Sequence, residues 1–188
     1  MIFNKHLNLE GLHAPFSASQ SAWLRYDDEK LLNVYDNKKA TMLGTQLHEW
    51  VKTTIDLKIR QPRSKKTLYA YVNDAIGFRM STEVVLFYSE HFFGTADAIC
   101  YDKGILRIHD LKTGKHPAKM DQLMLYAAYF CLEYKIKPTE LKGIELRIYQ
   151  NDEVLVHKPE PEEILEIMNI VIHDDELLRK RDEEELGR

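Results

Sequence analysis

Asp97, Asp110 and Lys112 are the residues whose types and spacing could do chemistry in this 188-residue chain. Phe92 to Tyr101 and Ile105 to Lys112 are rich in aromatic and β-branched residues and flank Asp102-Lys103-Gly104, so they read as a hairpin. With Lys103-Gly104 as a two-residue turn, Asp102 faces Ile105, and counting outward places Asp97 opposite Asp110. Opposed residues stand about 5 Å apart at Cβ, where like charges destabilise a sheet. Lys112 follows Asp110 by two residues and so shares its face. A divalent cation between the carboxylates would remove the repulsion, and the ammonium would stand beside whatever the cation holds. The alternative is a pair of solvated aspartates on an open sheet face.

Two helical segments carry further polar groups at useful spacing. Leu43, Leu47, Trp50, Val51 and Ile55 form an apolar stripe, and His48 lies beside it, where a histidine can be a packed boundary residue or a ligand. Gly44 costs about 1 kcal/mol in a helix interior relative to Ala. Downstream, Leu123, Tyr126, Ala127 and Phe130 give a second stripe, with Pro117 where that helix could begin. Gln122 and Tyr126, four apart, share one face of it. Glu83 opens an apolar strand, Glu83 to Tyr88, where it can face a metal or pair with a base such as Arg79.

Asp97 followed by Asp110-Leu111-Lys112 resembles the D…(D/E)-X-K signature of the PD-(D/E)XK nuclease superfamily. Gly94-Thr95-Ala96-Asp97-Ala98-Ile99 is similar to the G-x-x-D-x-[IV] form of its RecB-like branch. Gly44 and His48 match that branch's G-x-x-x-H, Gln122 and Tyr126 its Q-x-x-x-Y, and Ser17-Ala18-Ser19 resembles its S-x-S helix start, where serine capping is explanation enough. The resemblance implies that His48, Asp97, Asp110 and the Leu111 carbonyl hold Mg²⁺ or Mn²⁺, with Glu83 as a further contact. Asp97, Asp110 and Lys112 would be catalytic, supported by Gln122 and Tyr126. It implies a DNA nuclease hydrolysing phosphodiester bonds, an exonuclease leaving a 5′-phosphate and a 3′-hydroxyl. A structure-specific endonuclease, or a non-catalytic DNA-binding or regulatory module on the same fold, are the alternatives. Several RecB-like nucleases bind an iron–sulfur cluster through four cysteines; this chain has only Cys100 and Cys131, so no such cluster is expected.

The elements that must position these groups follow in a consistent order. A helix beginning near Ser17 or Ser19, the His48 helix and a helix at Leu68 to Ile76 closed by Gly77 precede strands at 82–88, 92–101 and 105–112. The Gln122 helix, strands at 143–149 and 153–157, and a last helix over about 161–181 complete the chain. This is an α/β (α+β) pattern, and the resemblance makes it a PD-(D/E)XK, restriction-endonuclease-like core: a central mixed β-sheet flanked by helices. One domain is expected over 1–188, with its core at about 17–157. With 44% hydrophobic residues and 8 glycines the chain can bury a real core. It shows no apolar run of membrane-spanning length and no apolar signal core after Met1. A cytoplasmic protein, without membrane contact, is expected, in a bacterial or phage-infected cell and in a setting of DNA recombination or repair.

The formal net charge is −4, of which residues 174–188, with seven acids and four bases, contribute −3. Lys58-Ile59-Arg60-Gln61-Pro62-Arg63-Ser64-Lys65-Lys66 holds five cations and no anion, and Lys112, Lys115 and Lys119 cluster after the catalytic strand. DNA contacts are therefore expected from Arg60, Arg63, Lys65, Lys66, Lys115 and Lys119, by neutralising phosphates. The acidic run Asp182 to Glu185 reads as a solvated or frayed helix end. No helicase motif is present, so a helicase or recombinase partner would be a separate chain; a homo-oligomer stays open.

Overall fold

The computed structural model describes residues 4–9, 11, 14–114 and 117–186. Internal contacts divide the chain into two compact units, Met1–Leu47 and His48–Arg188. Helix α1 (Asp28–Asp56) runs through the division.

In the first unit, Ser17 precedes a 3₁₀ segment, Ala18–Arg25, rather than an α-helix. Serine capping, expected from the sequence, does not occur: the Ser17 hydroxyl pairs with Ser19 Oγ at 3.0 Å and makes no cap bond. The true cap is Asp27, whose Oδ1 accepts the Lys30 N–H at 2.8 Å and so satisfies a free donor of the first turn of α1. Phe16 is packed between the rings of Trp23 and Tyr35, at centroid distances of 6.2 and 6.5 Å.

The second unit is a five-stranded mixed sheet flanked by helices. Helix α2 (Thr67–Gly77) leads into β1 (Ser81–Phe87), β2 (Phe93–Asp102) and β3 (Ile105–Leu111). Helix α3 (Asp121–Tyr134) then crosses to β4 (Gly143–Gln150), which hairpins into β5 (Glu153–His157) before α4 (Pro161–Leu186). Strand order is β1-β2-β3-β4-β5, all antiparallel except β3 and β4. The β2–β3 hairpin has the expected register, with Asp102 opposite Ile105 and Ala98 opposite His109. Its turn residues Lys103 and Gly104 both take positive φ, 52° and 87°, the backbone whose twist suits a two-residue hairpin.

Alternating side chains on the central strand feed two cores. Leu106 and Ile108 join the cluster under α3 and α4, built on Leu123, Tyr126, Ala127, Phe130, Ile164 and Val171. Leu111 joins Val51, Ile55, Tyr71, Val72 and Tyr149, which packs α2 and the end of α1 on the sheet. Of the apolar stripe expected on α1, Val51 and Ile55 are buried, while Leu43 and Trp50 stay exposed.

Three boundaries differ from the sequence reading. Pro117 lies four residues before α3, which begins at Asp121, where an acid favours a first turn. The last helix continues to Leu186 rather than ending near 181, because Arg181 reaches Glu185 at 3.2 Å and Glu184 at 3.7 Å. Strand β1 opens at Ser81, two residues before Glu83. Among the described residues no helix is long and apolar enough to cross a membrane.

Candidate metal centre

One step beyond the last antiparallel pair, Ala98 with His109, the register sets Asp97 across from Asp110. Asp97 Oδ2 accepts the Leu111 N–H at 3.1 Å and has His48 Nδ1 3.5 Å away. The side chain of Asp97 is 19% exposed and that of His48 32%, so the pair sits at the mouth of the site. Asp110, at the end of the buried central strand, is only 2% exposed. Its Oδ1 takes the Lys112 ammonium at 3.0 Å, while Oδ2 is buried without a hydrogen-bond partner among the described residues.

Glu83 arrives from the other side of β2. Pairing between β1 and β2 jumps from Thr82–Ala98 to Val84–Ala96, leaving Glu83 across from Asp97 with φ at +52°. A non-glycine residue held there costs of order 1–3 kcal/mol and clusters at functional sites. The turn brings its carboxylate to the others: one ligand atom each from His48, Glu83 and Asp97 lie within 4.8 Å of one another. Glu83 forms no ion pair with Arg79 among the described residues. The helix bearing His48 and the strand bearing Glu83 are fastened together, because Asp56 of α1 accepts both the Thr82 hydroxyl at 2.7 Å and the Lys52 ammonium at 2.6 Å.

A polar chain extends from Asp110 to α3. Lys112 Nζ also donates to Gln122 Oε1 at 2.8 Å, and Gln122 Nε2 donates to Tyr126 Oη at 2.9 Å. Two of the three ammonium donors are thus engaged among the described residues. Gly94 leaves room for this chain: a Cβ there would come 2.8 Å from Tyr126 Cε1. No known protein family, curated protein or solved structure matches this chain.

Electrostatics leave the two aspartates of the hairpin incompletely compensated. Burial, then repulsion from Asp110, pushes the Asp97 carboxyl up to about 6, against the pull of His48, the Leu111 N–H and Lys112. Asp110 is raised by burial and held back by Lys112 and His48. A bound divalent ion would relieve both, and would give the unpartnered Asp110 Oδ2 a charge to face. His48, Glu83 and Asp97, whose ligand atoms lie within 4.8 Å of one another, are the residues that could hold one, while Asp110 falls outside that group and pairs with Lys112.

Two neighbours escaped the sequence reading. Tyr71, 1% exposed, is held well above the usual phenol range by burial and by Asp97, Asp110 and Glu83. Its only sequence signal was membership of an apolar helix stripe. His109, fully buried beside Asp110, is pushed down to about 3 by burial and the nearby Arg147 and Arg107, so it is a neutral ring packed edge-on against Phe78. Of the cations expected to meet DNA, Arg60, Arg63, Lys65 and Lys66 are exposed on the connection between α1 and α2, and Lys119 is exposed before α3. Lys115 lies outside the described residues.

Proposed function

We propose that this chain is a metal-dependent DNA nuclease on a PD-(D/E)XK core of the RecB-like kind, acting as an exonuclease that leaves a 5′-phosphate and a 3′-hydroxyl. One observation carries the reading: Asp97, Asp110 and Lys112 come from a single hairpin, and His48 and Glu83 converge on Asp97 from two other elements. The element order α2-β1-β2-β3-α3-β4 is that expected of such a core and supports the same reading.

His48, Glu83, Asp97 and Asp110, with the Leu111 carbonyl, would hold one or two Mg²⁺ or Mn²⁺ ions. Such an ion, when bound, lowers the pKa of a coordinated water and polarises the scissile phosphate. The chain's own part is then positional. Asp110 and Gln122 fix the Lys112 ammonium on two sides, leaving its third donor for the attacking water or a phosphate oxygen. Tyr126 holds the Gln122 amide in the orientation that presents its oxygen to Lys112. The Leu111 N–H orients Asp97 Oδ2. Exposed Arg60, Arg63, Lys65, Lys66 and Lys119 would supply phosphate contacts outside the site.

Digestion of end-labelled and circular DNA, single- and double-stranded, with Mg²⁺ or Mn²⁺ tests activity and end dependence together. Loss of linear substrates with sparing of circles is expected. No cleavage of any substrate by the purified chain in either metal would overturn the reading.

A further inference from the structure

A cleft of about 660 Å³ in the second unit lies away from the carboxylates. It opens at the turn end of the β2–β3 hairpin, lined by Phe78 and Arg79 after α2, by Cys100 and Asp102 on β2, by Lys103 of the turn and by Arg107 on β3. Cys100 and Arg107 lie three residues along their strands from Asp97 and Asp110, about 10 Å away at the rise of a strand. Three cations and one carboxylate line it.

Arg107 is the unusual member. Its side chain is 17% exposed, its Nε is buried without a hydrogen-bond partner among the described residues, and its guanidinium carbon stands 4.6 Å over the Phe78 ring. Glu145, the nearest carboxylate, is 3.7 Å away and already committed to Arg147 at 3.0 and 2.9 Å. The remaining neighbour is the Cys100 thiol, a weak partner. A buried guanidinium N–H left without an acceptor costs stability unless one arrives. Arg79 and Lys103, both exposed on the rim, add two cations to the same opening.

We infer that this cleft is a phosphate-binding site, in which Arg107 takes the phosphate oxygens and Arg79 and Lys103 close over them. Planar donors on a fixed guanidinium match phosphate geometry, and the cleft's volume suits a ligand of nucleotide size. The phosphate can belong to a free nucleotide or to a nucleic-acid strand. Either source uses the same three cations.

Calorimetric titration of the full chain with inorganic phosphate tests the site without any cleavage assay. One saturable equivalent is expected, weakened at least about tenfold by R107M, less by R107K, and severalfold by the rim double variant R79A/K103A. D110N, which alters only the candidate metal centre, should leave phosphate binding intact, so failure of the nuclease reading and failure of this one are separable. Should R107M prove misfolded by circular dichroism, the exposed rim variant decides. The source follows from thymidine 5′-monophosphate and a short single strand in Ca²⁺. Lost monophosphate affinity in the rim variant assigns a free nucleotide; a weaker strand complex with a shallower salt dependence assigns nucleic-acid phosphate. Absence of saturable phosphate binding in the wild-type chain, or equal binding by wild type and the folded variants, would overturn the inference.

Discussion

Gln122 Oε1 lies 2.8 Å from Lys112 Nζ, so the lysine of the hairpin is held by a side chain from the helix that follows it. Lys112 projects just past the end of β3, and within the strand Asp110 takes its ammonium on one side. The helix supplies the second restraint.

Removing either end of the Asp110–Lys112 pair should abolish chemistry while sparing the fold. D110A and K112A are each expected to lower cleavage at least about a hundredfold, since each deletes a preorganised electrostatic contact. Q122A should cost about tenfold by loosening Lys112. Single-turnover rates with saturating Mn²⁺ measure all three, and near-wild-type rates in D110A or K112A would remove the catalytic assignment.

Gly94→Ala should destabilise the chain by about 1–3 kcal/mol, as small-to-large changes in packed sites do. The added carbon meets Tyr126 Cε1, and that ring is buried and tied through its hydroxyl to Gln122. Denaturant melts give the stability. Cleavage should fall as well, because the ring can yield only by disturbing Gln122 and Lys112.

The two raised carboxyls make the metal-free chain pH-sensitive in a defined direction. An acid whose folded pKa exceeds its unfolded value binds more protons folded than unfolded, so its contribution to stability declines as pH rises. For Asp97 the window runs from about 4 to about 6. In EDTA, D97N should flatten this part of the stability profile relative to wild type. Mn²⁺ affinity should climb across the same range as protons leave, and Mn²⁺ should bind better than Mg²⁺ if the proposed ligand set includes the His48 imidazole. H48A should weaken Mn²⁺ binding and be partly rescued by excess metal. Calorimetry at several pH values checks these points; unchanged Mn²⁺ affinity in H48A would return His48 to a packing role.

A second histidine should act as a latch on the far end of α4. His91 Nδ1 lies 3.1 Å from Asp175 and Nε2 2.9 Å from Asp182, and these bonds raise its pKa. Ser89 and Arg179 also face Asp175, at 2.6 and 2.7 Å. A histidine with a raised folded pKa contributes stability that is complete below its unfolded value near 6.5 and is lost as pH rises through the folded one. Hydrogen exchange, corrected for intrinsic rates, should show protection across 176–185 falling at alkaline pH in wild type. H91Q should remove that pH dependence.

The hairpin could be read from sequence because a two-residue turn with glycine fixes register, and register alone carries Asp97 to Asp110. Glu83 could not be placed as well. Its position depends on a positive φ that no local residue preference demands, in the interior of a strand that opens at Ser81. Tyr71 was hidden for a related reason: a tyrosine in an apolar helix stripe reads as core, and only the assembled sheet brings Asp97, Asp110 and Glu83 to it. The extra turn of α4 rests on side-chain pairs among Arg181, Glu184 and Glu185, which a reading that counts like charges takes for fraying. Arg107 and its cleft had no sequence signature, since an arginine in a strand looks like any solvent-facing residue until its carboxylate neighbour is seen to be shared.

Strand β3 has a partner on each edge and a packed cluster on each face, and Asp110 is its second-to-last residue. Segments so enclosed exchange their amide hydrogens only when the whole domain opens. The carboxylate geometry thus has no private melting point. Heat, denaturant or a distant core substitution would leave it intact until cooperative unfolding and then destroy it at once, so loss of the site and loss of the fold should trace one curve.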